Sequence, residues 1–165
     1  MTIENFDQMY VAELQELASA QRQLEEAHER MAQAARHPEV KALLSRHRDE
    51  TKTQRERLET VLRAHRASPT AHTDQAMQAL IGEADKMLDQ LQGDALRDAG
   101  LVASAQKIAH YEIATFGTAA ALAGQLRLPE EQRILHQCVE EERQADQALS
   151  RLAMVDLNPA AAVAG

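Results

Sequence analysis

Apolar residues recur along this chain at steps of three and four, the spacing of a helix with one buried face. From Ile3 to His37 neither Gly nor Pro interrupts the pattern, and the stripe reads Phe6, Tyr10, Glu13, Leu17, Ala20, Leu24, Ala27, Met31. Pro38 suits the first turn of a second helix, running to about Ala67, where Ser68-Pro69 stops it. Its stripe reads Val40, Leu43, His47, Glu50 or Thr51, Gln54, Leu58, Val61. A shorter helix is predicted from about His72 to Leu91, ended by Gly93. Asp94 then stands where an N-cap belongs, opening a helix to about Gly124 with the stripe Asp98, Val102, Ala105, Ala109, Glu112, Phe116, Ala119, Ala123. Those eight positions fall within an arc of ~100° at 100° per residue. Leu128-Pro129 starts the last helix, whose stripe is Ile134, Cys138, Glu141 or Glu142, Ala145, Leu149, Leu152. It is expected to end near Asp156–Pro159, giving one domain over residues 1–156 and a frayed, disordered tail over 157–165.

Four such helices, each far longer than the average of about 11 to 12 residues, stack as a bundle. The stretch between the second and third long helices contains a helix of its own, which allows a connection along the bundle's length. That is the topology of a ferritin-like four-helix bundle. Aromatic residues are only 2% of the chain while 44% are hydrophobic, so the core is Ala, Leu, Ile, Val and Met, which favours helices over sheet. At 165 residues one domain of this kind buries roughly 70% of its unfolded surface.

Charge narrows the partners. A formal net charge of −8, with 18 basic residues interspersed among 26 acidic ones, argues against a nucleic-acid partner, including the DNA-protecting type of miniferritin. No apolar run is long enough to span a membrane, and Met1 to Tyr10 has no secretory pattern. The lone Cys138 forms no internal disulfide and reads as a small core residue. A cytoplasmic location is the expectation.

The informative residues are the polar ones on apolar stripes. Glu13 interrupts the first stripe, and His47 with Glu50 at i, i+3 the second. Glu112 sits among alanines in the third. Leu43-Leu44, His47, Glu50, Leu58 and Val61 recur 91 positions later as Ile134-Leu135, Cys138, Glu141, Leu149 and Leu152, which pairs Glu50 with Glu141. Buried carboxylates on facing helices repel one another unless a cation lies between them, and oxygen ligands with an imidazole suit iron, manganese or zinc. The candidate ligands are therefore Glu13, His47, Glu50, Glu112 and Glu141 for one or two ions. His110, placed at an edge or subunit contact, Glu142 and Asp146 are secondary candidates. For each acid the alternative is a solvated charge or an interhelical salt bridge, and for His47 a core histidine bonded to backbone.

Asp7-Gln-Met-Tyr-Val-Ala-Glu13, His47-Arg-Asp-Glu50-Thr51, Arg97-Asp98-Ala99, His110-Tyr111-Glu112-Ile113-Ala114 and Glu140-Glu141-Glu142-Arg-Gln-Ala-Asp146 together resemble the YciE/YciF family of bacterial stress-associated proteins. The match runs in order from about Ile3 to Ala153. The resemblance implies a ferritin-like bundle, commonly a homodimer, with a di-iron or related site and ferroxidase-like activity. Carried over by position, the five candidate ligands match family acids or histidines. Ala109 departs from it, since the family usually has a glutamate directly before this His-Tyr-Glu. Two outcomes stay open: an altered site of one or two ions, or a structural bundle whose metal site is depleted.

Overall fold

In the computed structural model, which describes residues 2–164, the chain forms the helices α1 (Phe6–Ala34), α2 (Pro38–Ala64), α3 (Gln75–Gln90), α4 (Asp94–Gln125) and α5 (Pro129–Leu152). A π-helical turn (Ala153–Leu157) and a short α6 (Asn158–Ala162) follow. The bundle is all-helical, as the stripes require. Local chemistry sets its boundaries. Asn5 caps α1 by accepting from the Gln8 amide at 2.9 Å, and Asp74 caps α3 through the Met77 amide at 2.8 Å. The expected Asp94 cap is displaced by one residue. Gly93, at φ 87, is the N-cap, and Asp94 is the first helical residue, where its charge still favours the helix dipole.

Two apolar clusters occupy opposite ends of the bundle. One gathers Tyr10, Leu14 and Leu17 of α1, Leu58 and Leu62 of α2, Phe116 of α4 and Leu135 of α5. The other gathers Met31, Val40, Leu44, Leu101, Val102, Leu149 and Leu152. Following each helix from cluster to cluster gives its direction. α1 and α5 run one way, α2 and α4 the other. Since α2 and α4 are parallel, their connection must travel the full length of the bundle. α3 lies in that connection and packs Met77 and Ile81 against Ala20, Leu24 and Ile108. This is the ferritin-like four-helix bundle.

Buried polar groups tie the ends. Asp98 accepts from the backbone amides of Arg36 and His37, both at 2.8 Å, closing the α1–α2 turn. At the other end Tyr10 donates to Glu131 at 2.7 Å, and His65 approaches the same carboxylate at 3.0 Å. α2 and α4 end alike: Arg66 (φ 56) and Arg127 (φ 59) take left-handed conformations, and the amides of Ala67 and Leu128 reach back to the carbonyls of Leu62 and Ala123. Those are the hydrogen bonds of a glycine-type C-terminal cap, made here by arginine. Arg127→Gly is expected to raise stability by a few tenths to about 1 kcal/mol by removing the left-handed penalty. Urea denaturation measures it.

The C-terminal segment corrects the sequence expectation. Helix does not end before Pro159, and Leu157 is buried instead of belonging to a disordered tail. The π turn is the reason: the Asn158 amide bonds to the Ala153 carbonyl five residues back, widening the helix just ahead of the proline ring. Residue 165 lies outside the described residues. Among the described residues no helix is long and apolar enough to cross a membrane.

Candidate metal centre

Between the two apolar clusters the stripes of all four long helices turn polar at one level. α1 contributes Gln21 and His28, α2 contributes His47, Thr51 and Gln54, α4 contributes Glu112 and α5 contributes Glu142. All seven side chains are buried. Ligand-type atoms of His47, Glu112 and Glu142 lie within 4.8 Å of one another. His47 Nε2 is 2.8 Å from Glu142 Oε2. Gln54 Nε2 donates to Glu142 Oε1 at 2.8 Å, and Gln21 Nε2 donates to Glu112 Oε1 at 2.6 Å. The His28 ring stacks on His47, with centroids 4.3 Å apart.

The two carboxyls are driven in opposite directions. Burial, reinforced by the neighbouring Glu142, pushes Glu112 well above the ordinary carboxylate range. Burial acts on Glu142 too, but the His47 imidazole and the Gln54 amide outweigh it and hold Glu142 below that range. His47 is correspondingly raised: burial opposes its charge, and Glu142 more than compensates. His28, buried against His47, is held well below the usual histidine value. Three buried atoms in this layer have no hydrogen-bond partner, Gln21 Oε1, His28 Nε2 and Gln54 Oε1, while the protonated form of Glu112 can donate to Glu142.

Of the sequence candidates, His47, Glu112 and the secondary candidate Glu142 are brought together. Glu13, Glu50, Glu141, His110 and Asp146 are not. Glu13 is half-buried nearer the start of α1, lining a cavity of about 550 Å³ with Glu16, His72, Asp74 and Tyr111. Glu141 turns partly outward, its carboxylate gripped by Arg57 at 2.8 Å, while Glu142 takes the inward position. Glu50 sits 3.9 Å from Arg46. His110 is exposed, 3.3 Å from Asp146, at the edge where the stripe put it. The 91-residue repeat nevertheless carries through. Its edge pair, Glu50 and Glu141, is half-buried in both copies, and the next pair, Thr51 and Glu142, is buried in both.

Gln21 and His28 were missed by the sequence reading. Their signal was present, since Gln21, Leu24, His28 and Met31 continue the steps of three and four as well as the alanine positions do.

Glu50 and Glu141 lie half-buried at the edge of this layer. With Asp49, Thr53, Arg46 and Arg57 they line a surface depression of about 280 Å³ between α2 and α5. A small cavity that reaches His47 shares Arg46 and Glu50 with it. Gln54 Nε2 also donates to Glu141 at 3.1 Å, so one amide links the carboxylate at the edge to the one at the centre.

The donor set decides how many ions fit. A dinuclear bundle site takes about four carboxylates and two histidines. Among the described residues only two carboxylates converge with His47. Ala109, fully buried one turn before Glu112, offers no donor, and Gln21 and Gln54 are neutral. Two ions do not fit this set. One does: a nitrogen and two carboxylates from three helices.

The comparisons agree with this architecture. The profile of a family described as "Domain of unknown function (DUF892)" matches residues 5–162. Protein YciF of Escherichia coli (strain K12) is 32% identical over 159 residues, covering 96% of each chain. The crystal structure of the E. coli stress protein YciF superposes with a TM-score of 0.89 at 32% identity, covering 94% of this chain and 99% of that one. YcfI from Rhodopseudomonas palustris does so with a TM-score of 0.86 at 30% identity, covering 90% and 94%. Built on the same bundle and matched along nearly its whole length, the chain belongs to the DUF892 family that includes YciF.

Proposed function

We propose that the protein binds one divalent transition-metal ion in the middle of its bundle, held by His47 of α2, Glu112 of α4 and Glu142 of α5. The observation that carries this reading is the convergence of three buried ligand atoms within 4.8 Å. A carboxylate removed from water to this depth costs several kcal/mol unless a cation or proton neutralises it. Nitrogen and oxygen donors together suit zinc, iron(II) or manganese. A bound ion would supply a localised positive charge and Lewis acidity. The chain's own residues do the rest. Gln21 and Gln54 fix the orientation of the two carboxylates, and the apolar clusters exclude water. The kinship with a stress protein supports a role in metal handling under stress. Two-ion ferroxidase chemistry, which the family resemblance implies, is left out of the proposal because Ala109, Gln21 and Gln54 leave a second ion without charged ligands.

A second reading has an observation of its own. His47 pairs with Glu142, and both carboxyls accept an amide proton, so the layer can be a self-neutralised polar core in a structural or interaction protein. Calorimetric titration with Zn(II) separates the two. One ion per chain is expected for the wild type and for Glu50→Gln and Glu141→Gln, and none for Glu112→Gln with Glu142→Gln. Absence of binding in the wild type would leave the structural reading.

A further inference from the structure

His28 is the most deeply buried histidine whose role the three-ligand centre leaves unexplained. It is fully buried on α1, and its Nε2 has no hydrogen-bond partner. Its proton can be placed from its neighbour. Thr51 has a single hydroxyl proton, and the hydroxyl oxygen lies 2.8 Å from the His47 carbonyl oxygen but 3.3 Å from His28 Nδ1. The shorter contact takes the proton, because a carbonyl oxygen only accepts. At the longer contact the ring must therefore donate, with Nδ1–H pointing to the Thr51 oxygen. In the neutral ring that leaves Nε2 as a bare lone pair with no protein donor to accept from. An unmet polar atom at this depth is destabilising, and an apolar side chain at this position would avoid that cost. A histidine whose other ring nitrogen is fixed by a hydroxyl, with the free lone pair buried, has the arrangement of a metal ligand with its outer hydrogen bond in place. The ring it stacks on belongs to His47, at 4.3 Å and 26° between planes.

We propose that His28, through Nε2, is a fourth ligand, so that each of the four long helices gives one donor to the same ion. A movement of the His28 ring out of its stack toward the ion is part of the proposal. With two imidazoles and two carboxylates the centre selects a d-block ion such as zinc, iron(II) or cobalt(II) over magnesium or calcium, whose preference is for oxygen. This inference rests on the one-ion reading above.

Cobalt(II) titration followed by visible absorption, beside thermal unfolding of the metal-free proteins, tests it. The wild type is expected to bind one Co(II) with the intense bands of a four-coordinate ion, and to bind Mg(II) far more weakly. His28→Leu is expected to lose more than about 100-fold in affinity, beyond the 10- to 100-fold typical of an outer-shell loss, and to show the weaker bands of a more hydrated ion. Its metal-free form is expected to melt no lower than the wild type, because an unpaired buried atom has been removed. Thr51→Val, which frees the His28 ring, is expected to lose about 10- to 100-fold. If His28→Leu fails to fold, His28→Gln reads the loss of the ligand with polarity retained. A wild type that binds Co(II) and a His28→Leu variant with the same affinity and spectrum would overturn the fourth ligand alone. A metal-free variant that melts well below the wild type while binding Co(II) normally would assign His28 to packing. No Co(II) or Zn(II) uptake by the wild type would overturn the one-ion reading and this inference together.

Discussion

Glu142→Ala is expected to lower the stability of the metal-free protein by about 3–5 kcal/mol. Glu142 is the acceptor on which the polar layer depends. Truncating it strips His47 Nε2 of its partner at 2.8 Å and Gln54 Nε2 of the closer of its two acceptors, in a layer sealed at both ends by apolar clusters. His47 would then be buried without its partner and Gln54 left with Glu141 alone, and a cavity is added. Replacing both members of the pair, His47→Leu with Glu142→Met, removes the stranded imidazole and is expected to cost much less, because well-packed apolar substitutes for a buried ion pair are often neutral or stabilising. Urea denaturation of the single and double variants measures the contrast. A single variant that loses less than 1 kcal/mol would mean that water reaches this layer.

The second large effect is stabilisation by metal. An ion that binds only the folded chain adds RT ln(1 + [L]/Kd), about 2.7 kcal/mol at a hundredfold excess over Kd. For a chain of this size that corresponds to a rise in Tm of about 5–11 °C. Zn(II) is expected to produce the rise and a chelator to abolish it. Glu112→Gln should not respond. The amide is the same size as the carboxyl, and its oxygen can still accept from Gln21, so the metal-free variant is expected to be as stable as the wild type. That separates loss of the ligand from loss of the fold. A rise of the same size in Glu112→Gln would place the responsible ion elsewhere, for example in the acidic cavity beside Glu13 and Asp74.

Much of this architecture can be read from spacing. All eight positions of the α4 stripe are buried, Pro38 and Pro129 open the helices predicted from them, and the long second connection is required by the parallel α2 and α4. The candidate ligands were harder, for one recurring reason. In α2 and α5 the sequence offers two neighbouring residues at the border of the stripe: Glu50 or Thr51, Glu141 or Glu142. Adjacent positions differ by 100° around a helix, and only packing against the other helices decides which faces in. The 91-residue repeat selects Glu50 and Glu141, whereas the bundle buries Thr51 and Glu142. α4 offered no such choice, since Glu112 stands alone on its stripe, and its placement was legible. Gln21 and Gln54 were illegible as site residues because neutral amides carry no expectation of a metal. Their meaning emerges only with the carboxylates they touch. Ala109 was legible as a missing donor, and its burial beside Glu112 gives that absence a place.

Anomalous diffraction at the zinc edge, from crystals grown with Zn(II), tests the central claim most directly. A single peak in the bundle, about 2.0–2.2 Å from His47 Nε2 and from one oxygen each of Glu112 and Glu142, is the predicted result. Two peaks in the core, or none there with a peak at the Glu13 cavity, would contradict the one-ion centre.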